Sequence, residues 1–390
     1  MKRLPTDVST FSIMINDGYQ YVDKTEQIYS LITRGRYYFL SRPRRFGKSL
    51  LVSTLKELFL GNKELFKDLW IGKNTDYNWQ EYPIIDLDFS RIPRTNFQEL
   101  RDGINAELRY IAKSYSVEIE QWNTPEQTLR YLILELAKKS KVVILIDEYD
   151  KPILDHIKNI DEAHAQREVL RSFYTVIKGM DQYIHFVLLT GVTKIGQTSV
   201  FSGLNNLNDI TMKPEAATLL GYTQQELENN FGEYLERFAQ KKQTTVQGIL
   251  DQMRTWYNGY CFTKNGAKVY NPFSVTYCLH DKDFANYWIK SGTPKFLIDL
   301  ISKTPEELEN IEKKELSTSS LEVFNIEKIH LISVIFQAGY YTIQSYNPET
   351  NKYLIGYPNR EVQEAFTLRL LSLRSFTLRE SGKEEILGRM

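Results

Sequence analysis

The sequence predicts an α/β fold in which a mainly parallel β-sheet is sandwiched between helices. Two observations support this prediction. Over roughly the first 200 residues, short apolar runs alternate with amphipathic stretches, as in chains whose strands and helices follow one another. The apolar runs are also nearly continuous, which is expected of strands buried on both faces. After about Asn208 the pattern changes to amphipathic helices, so a mainly helical second domain is expected.

Four apolar runs are predicted to be the strands of the sheet: Tyr37 to Leu40, Pro83 to Phe89, Lys141 to Ile146 and Ile184 to Thr190. The stretches predicted to be helices in this region are Lys48 to Leu60, Phe97 to Ser114, Thr124 to about Lys139, and Asp161 to Lys178. Gly61 is a suitable C-terminal cap for the first of these helices. Thr124 followed by Pro125 is typical of an N-cap and first turn.

The second half of the chain has different signals. Thr223 is predicted to cap a helix, and a further helix is expected from Thr245 to Tyr257. The aromatic turns WYNGYCF (256–262) and YNPF (270–273) are interpreted as buried turns of the helical domain, with base stacking as the alternative. From about Thr304, charged helical sequence (PEELENIEKKELS) mixes with the strand-like pieces GYYTIQSY and KYLIGYP. This mixture predicts a short α+β C-terminal segment.

Composition excludes several classes of protein. The 49 Lys and Arg residues balance 49 Asp and Glu residues, so a globally cationic nucleic-acid or membrane binder is excluded, although a local basic patch is not. No secretory signal and no apolar run near the ~20 residues of a membrane span is present, which predicts a cytoplasmic protein with no membrane partner. Two cysteines, Cys261 and Cys278, allow one disulfide or two buried thiols, and the five scattered histidines predict no zinc site.

The strongest functional signal is SRPRRFGKSL (41–50), which lies between a predicted strand and a predicted helix. This is the setting of a phosphate-binding loop with the pattern GxxxxGK[ST]. Gly47, Lys48 and Ser49 match, whereas Arg42 replaces the first glycine. We expect Lys48 to contact the β- and γ-phosphates and Ser49 to ligate Mg²⁺, although a Gly-Lys-Ser tripeptide also begins ordinary helices. The residues expected to contact nucleotide are Arg44, Arg45, Phe46, Gly47, Lys48, Ser49 and Leu50.

A second motif supports the first. The apolar run from Val142 to Ile146 ends in Asp147 and Glu148, which places two carboxylates at the carboxyl end of a buried strand. Asp147 is predicted to hold Mg²⁺ and Glu148 to orient the attacking water. The alternative is that acidic residues end strands because strand tips are solvated. The next predicted strand ends at Thr190, the first choice for a contact with the γ-phosphate or the water.

Several polar residues near these motifs have two interpretations. Thr193 is the second choice for the role assigned to Thr190. Arg44 and Arg45 either contact phosphates or a neighbouring subunit, or are solvated loop charges, and the solvated interpretation is favoured. Arg167 and Arg171 are candidates for arginine fingers that act on a second copy, with surface charge as the preferred interpretation.

These motifs together resemble the AAA-ATPase-like family of bacterial P-loop proteins. The resemblance covers nearly the whole chain, and RPRRFGKS and LIDEYD are its most specific pieces. The matching segments are YVDKTEQIYSLI (21–32), YYFLSRPRRFGKSLLVSTLKELF (37–59), VILIDEYDKPI (143–153), LTGVTK (189–194), FSGLNNLNDIT (201–211), WYNGY (256–260), YNPFS (270–274), YWIKSGTPKFLI (287–298) and IGYPNREV (355–362). The arginine at position 42 looks like the family's own form of the loop.

The resemblance implies a P-loop ATPase of the class that carries an extra strand between its two nucleotide motifs, and Pro83 to Phe89 is the candidate for that strand. It also implies that Tyr21 to Ile28 lie near the nucleotide base. The expected regions are an AAA-like P-loop ATPase domain (1–212), a helical lid-like domain (213–303), and a linker with an incomplete C-terminal region (304–390). In this family a nuclease-like domain of the PD-(D/E)XK type commonly follows the ATPase region. Its Asp and Glu-x-Lys motif is not found after residue 300, so the chain is expected to stop at or just inside that domain, as a truncated or a natural form.

The predicted function is therefore ATP binding and Mg²⁺-dependent ATP hydrolysis that drives or gates an attached effector. The alternative is a nucleotide-binding switch with little hydrolysis, because Arg42 would crowd a loop in which glycine allows a tight turn. A third interpretation is the regulatory half of a nuclease. The partners expected are ATP, a second copy of the chain, and nucleic acid through the missing nuclease-like domain.

Overall fold

The computed structural model describes residues 1–119, 121–194, 200–201, 203–264, 266–290, 295–303, 315–322, 330–368 and 370. Within this part of the chain, the central element is a parallel sheet of five strands. The strands are β1 (Tyr37–Ser41), β2 (Ile84–Asp88), β3 (Val142–Asp147), β4 (Ile184–Gly191) and β5 (Asn208–Asp209). They lie in the order β2-β3-β4-β1-β5, and every neighbouring pair is parallel. The four long predicted strands are thus confirmed to within one residue at each end.

The helices that accompany this sheet are α1 (Phe11–Asn16), α2 (Thr25–Arg34), α3 (Lys48–Phe59), α4 (Trp70–Asn74), α5 (Phe97–Ser114), α6 (Pro125–Ala137), α7 (Lys151–Asp155) and α8 (Ile160–Gly179). Short 3₁₀ turns cover Lys63–Phe66, Asp181–Tyr183 and Pro214–Ala216. The predicted caps form: the Thr124 side chain accepts from the Gln127 amide at 3.3 Å, and Gly61 has the positive φ of 72° expected after a helix.

Helices cover both faces of the sheet. Alternate side chains of each strand point to opposite faces, so the strands contribute to two separate hydrophobic clusters. Leu145 and Leu188 pack in the cluster that contains Leu55 and Leu58 of α3. Ile144 belongs to the other cluster, with residues of α5, α6 and α8. The predicted sandwich of a mainly parallel sheet between helices is confirmed.

The position of one strand differs from the expectation. Pro83 to Phe89 was the candidate for the extra strand between the two nucleotide motifs, and it does form β2. In the sheet, however, β2 is the edge strand beyond β3. The strand that lies between β1 and β3 is β4, which pairs with both. The reason is topological: the order of strands in a doubly wound sheet differs from their order in the sequence.

The remaining described elements are mainly helical, together with a three-stranded antiparallel sheet. The helices are α9 (Gln224–Lys242), α10 (Val246–Tyr257), α11 (Pro272–Asp281), α12 (Tyr287–Lys290), α13 (Lys295–Lys303), α14 (Thr318–Glu322) and α15 (Leu331–Gln337), and 360–368 is also helical. The strands β6 (Glu315–Ser317), β7 (Thr342–Asn347) and β8 (Lys352–Gly356) lie in the order β6-β8-β7. A capping box at Thr223 begins α9, as its sequence predicts.

The strand-like pieces GYYTIQSY and KYLIGYP are confirmed as β7 and β8. Most of PEELENIEKKELS, and residues 371–390, lie outside the described residues. Cys261 and Cys278 are both buried free thiols, so they do not form the disulfide that the sequence left open. Among the described residues, none of the helices combines the length and the apolar character that crossing a lipid bilayer requires.

Candidate functional site

The carboxyl ends of β1, β3 and β4 meet at one edge of the sheet, and this places the predicted motifs side by side. Leu40 pairs with Thr190, and Ile146 pairs with Leu189. The loop that follows β1 therefore lies close to Asp147, the last residue of β3. Ligands of open parallel sheets bind at this edge, where the strand order reverses.

Backbone geometry prepares the loop for an anion. Gly47 has a φ of 93°, a conformation that residues with a side chain rarely adopt, and it is the N-cap of α3. No side chain of the described residues caps this helix, so its first N–H groups are free of a side-chain acceptor. Uncapped N–H groups and the helix dipole together form the phosphate site of a P-loop.

Lys48 is buried beneath the loop. Its Nζ donates to the carbonyl oxygens of Arg42 at 2.9 Å and Pro43 at 3.0 Å, and its side chain lines the cleft described below. Burial lowers the pKa of Lys48, while the nearby carboxylates of Asp147 and Glu148 oppose that shift. Two carbonyl oxygens thus hold the ammonium group of Lys48 beneath the loop, and its third proton is left for another acceptor.

Ser49 and Asp147 bring two side-chain oxygens together. The Ser49 hydroxyl donates to Asp147 Oδ2 at 2.6 Å, and the Thr190 hydroxyl donates to Asp147 Oδ1. Mg²⁺ prefers oxygen ligands, and it is commonly bound through one or two carboxylates with phosphates and waters. A hydroxyl and a carboxylate at the rim of a phosphate cradle therefore fit this ion.

Glu148 follows in an unusual backbone conformation. Its φ is 53°, in the left-handed region, which is uncommon for a residue with a side chain and is often found at functional sites. Glu148 lines the cleft and is half-buried. Burial raises the pKa of its carboxyl, and the positive charge of Lys48 opposes this increase. A carboxylate in this position is a stronger base than a solvated one.

The two threonines are arranged differently from the expectation. Thr190 is fully buried on Asp147, and the residues that line the cleft do not include it. Thr193 donates through both N–H and Oγ to Asp150, at 2.7 and 2.8 Å. Sequence reasoning missed Asp150, although it is the third acid of the run LIDEYD. It is buried, and burial raises its pKa, while the donors of Thr193 oppose that increase.

Arg42 does not crowd the loop. Its side chain is buried, and its guanidinium donates to the carbonyl oxygens of Ser41 (2.9 Å), Thr211 (2.6 Å) and Ala216 (2.8 Å). It also lies over the ring of Phe262, 4.2 Å from the centroid. The crowding on which the switch alternative depends is therefore not found, because the side chain leaves the loop toward these groups. Burial lowers the pKa of Arg42 to about 9, so the group is cationic at neutral pH.

Distant aromatic residues hold the rest of the loop. Phe46 is buried, and its ring meets those of Tyr260 and Phe262 edge to face, at centroid distances of 4.7 and 5.4 Å. Trp288 Nε1 donates to the carbonyl oxygen of Arg44 at 3.1 Å. The WYNGYCF turn is therefore buried, as predicted, but sequence reasoning missed its contact with the loop. No local signal could have found a contact between residues more than 200 positions apart.

The arginines that the sequence analysis proposed as phosphate contacts or arginine fingers lie in different parts of the structure. Arg45 is exposed and lies over the ring of Phe273, 4.8 Å from the centroid. Arg167 and Arg171 both form ion pairs with Glu168 within α8, at 3.1 and 3.2 Å. Neither of these two arginines lines the cleft.

A cleft of about 680 Å³ joins these features. All seven loop residues from Arg44 to Leu50 line it, as does Glu148. Residues of the N-terminal segment line it as well, among them Tyr21, Lys24 and Ile28. Lys24 is fixed there by an ion pair with Glu226 at 2.6 Å. The segment expected near the base thus borders the same cleft as the phosphate loop.

Behind the loop, Glu361 supports Trp288. The Glu361 carboxylate is fully buried and accepts from the Trp288 amide (2.6 Å) and the Ser274 hydroxyl (2.7 Å). Burial raises the pKa of Glu361 from 4.5 to about 7. The folded protein therefore binds this proton more tightly than the unfolded chain, so the contribution of Glu361 to stability is greatest below pH 4.5 and is lost as the pH rises through 7.

We expect Glu361→Gln to remove this part of the pH dependence. The difference in free energy of unfolding between wild type and variant should change by on the order of 3 kcal/mol between about pH 4.5 and pH 8, with the wild type losing stability as the pH rises. Urea denaturation across this range measures it. Parallel curves for the two proteins would show that folding does not raise the pKa of Glu361.

Comparison with known proteins agrees with this arrangement. Residues 5–201 match the model of a family described as predicted AAA-ATPase. The protein described as "Uncharacterized protein in vnfD 5'region" of Azotobacter chroococcum mcd 1 is 36% identical over 393 residues, and the match covers 98% of this chain and 73% of that protein. The range of the family model, residues 5–201, spans the loop, the Asp147-Glu148 pair and the four long strands of the sheet. The chain belongs to the predicted AAA-ATPase family.

Proposed function

We propose that the protein binds ATP in this cleft and hydrolyses it with Mg²⁺. The observation that carries the proposal is the hydrogen bond of 2.6 Å between Ser49 and Asp147 at the rim of the uncapped N-terminus of α3. A phosphate cradle, a lysine and an oxygen pair suited to Mg²⁺ then lie at one edge of the sheet. This combination supports nucleotide hydrolysis better than it supports any other reaction.

Each residue has one role in the proposed reaction. The loop N–H groups and Lys48 bind and neutralise the phosphates, and Ser49 and Asp147 would hold the ion, which would supply charge stabilisation to the phosphate oxygens. Glu148 orients a water and accepts its proton. The water oxygen bonds to the γ-phosphorus while the bond from that phosphorus to the β–γ bridging oxygen breaks. The electron pair of that bond stays with ADP. Thr190 acts through Asp147 and positions it.

The proposal also concerns the organisation of the molecule. We assign the ATPase domain to residues 1–212, a helical lid-like domain to 213–303, and the C-terminal segment to 304–390. Hydrolysis would drive or gate an effector attached to this chain, which in the resembling family is nuclease-like. Nucleic acid would then be a partner of that effector. A second copy of the chain is a further partner that this proposal allows.

Lys48→Ala tests the proposed function. We expect ATP turnover to fall by about 10²–10³-fold, because a cation aimed at developing negative charge is lost. Phosphate release and ATP calorimetry measure the effect. Lys56→Ala is the matched control, because Lys56 lies on the same helix, pairs with Asp86 and does not line the cleft.

Equal turnover in the wild type, Lys48→Ala and Lys56→Ala would contradict the enzyme proposal. Tight ATP binding without phosphate release by the wild type would instead favour a nucleotide-binding switch. The structural argument for that switch is weaker than the sequence suggested, since Arg42 leaves the loop.

A further inference from the structure

One end of the cleft carries positive charge that the proposed reaction has not used. This end lies beside the carboxyl ends of β2 and β3 and is lined by Ser90, Arg94, Glu148 and Lys151. The segment expected near the base lines the same cleft as Glu148, and we expect a nucleotide bound along the loop to direct its γ-phosphate toward Glu148. A cation near this end would face the group that is transferred.

Arg94 is committed to holding the surrounding backbone. Its Nε donates to Asp155 Oδ2 at 2.7 Å, and its Nη1 donates to the carbonyl oxygens of Phe89, Ser90 and Ile92 at 2.9 to 3.2 Å. Its own carbonyl oxygen accepts from Gln166 Nε2 at 2.9 Å. A guanidinium with these partners cannot turn toward a phosphate without leaving several carbonyls unpaired.

Lys151 is held much less firmly. Its backbone N–H donates to the Glu148 carbonyl oxygen at 3.0 Å, which places it one turn beyond Glu148. Its ammonium lies 3.5 Å from Asp155 Oδ1, longer than an ordinary hydrogen bond, and Arg94 binds the other oxygen of the same carboxylate. Asp155 is its only ion-pair partner among the described residues, and 21% of the Lys151 side chain is exposed. A phosphate oxygen accepts a charge-assisted hydrogen bond from an ammonium, and Lys151 would give up no ion pair of ordinary hydrogen-bond length to make one.

We propose that Lys151 is a further catalytic residue, which contacts the γ-phosphate and stabilises the charge of the transition state from within the same chain. This inference rests on the proposed ATP hydrolysis. Lys151 keeps its proton throughout and forms no covalent bond, because its role is electrostatic. It takes the place of an arginine finger from a second copy. Arg167 and Arg171 then keep their ion pairs with Glu168 and do not act on the nucleotide.

Lys151→Met, Lys151→Arg and the exposed control Lys178→Met test this inference in the full chain. We expect Lys151→Met to lower kcat by about 10²-fold, with the charge-conserving Lys151→Arg recovering most of the loss. Calorimetry with ATP and with ADP should show that Lys151→Met weakens ATP binding by about tenfold relative to ADP binding, because only ATP carries the γ-phosphate. Wild-type turnover per chain should not change on dilution.

Other results would overturn it. If Lys48→Ala loses activity and Lys151→Met keeps the wild-type rate, the role of Lys151 is wrong and the proposed function remains. A ratio of ATP to ADP affinity that is unchanged in Lys151→Met also refutes the contact, even if the wild type hydrolyses no ATP. Loss of turnover per chain on dilution would show that the stabilising cation comes from a second copy.

Discussion

Glu148→Gln is expected to lower ATP turnover by about 10²–10⁴-fold while ATP binding is retained. The amide keeps the size of the side chain and can still orient a water, but it cannot accept the proton. Burial raises the pKa of Glu148, so the wild-type carboxylate is a better base than one in solvent. Phosphate release measures turnover, and calorimetry with ATP and Mg²⁺ measures binding.

The matched control for this variant is Glu64→Gln. The Glu64 side chain is 85% exposed, and its ion pair with Lys67 at 3.3 Å lies on the surface, so its loss should change turnover little. Wild-type turnover in Glu148→Gln would exclude Glu148 as the base. Loss of ATP affinity together with turnover would indicate that Glu148 shapes the cleft and does not act on the water.

Arg42→Gly, which restores the usual first glycine of the loop, is expected to destabilise the protein by about 2–4 kcal/mol and to bring no gain in turnover. The substitution removes a buried guanidinium that donates to three carbonyl oxygens and covers the Phe262 ring. Buried carbonyls that lose their donor cost free energy, and the space left behind adds to the loss. Chemical denaturation measures the free energy of unfolding.

Arg45→Gly is the control within the same loop. Arg45 is exposed and has a φ of 65°, a conformation that glycine adopts easily, so the substitution should leave the free energy of unfolding within about 0.5 kcal/mol of the wild type. If Arg42→Gly were as stable as the wild type and more active, Arg42 would slow ATP turnover without stabilising the fold. The interpretation as a nucleotide-binding switch would then regain its support.

Local sequence patterns, namely apolar runs and short motifs, predicted much of the fold and of the site. The strand ends were predictable because continuous apolar runs stop where the strand leaves the sheet, as at Asp147. The pairing of Ser49 with Asp147 follows from two such local motifs, since parallel strands of one sheet bring their carboxyl ends to the same edge. Local periodicity and known loop geometry were sufficient for these features.

Features that depend on distant residues were not predictable. Arg42 looked like an obstacle because its three acceptors and Phe262 become neighbours only after folding. The position of β2 at the sheet edge depends on which faces the connecting helices cover, and the strand patterns do not contain that information. The hydrogen bond from Trp288 to the Arg44 carbonyl oxygen was not predictable either, because the two residues become neighbours only after folding.

The residues that contact Arg44 and Phe46 of the phosphate loop lie outside the range of the family model. The family match ends at residue 201, yet the surfaces that hold the phosphate loop come from Phe262, Trp288 and Gly339. Gly339 lies so close to the loop that a Cβ there would come within 2.6 Å of Pro43. A fragment cut at residue 201 would therefore contain the proposed catalytic residues but none of these supports. The loop is therefore supported by residues that lie beyond the range of the family model but within the region matched by the relative from Azotobacter chroococcum, which covers 98% of this chain.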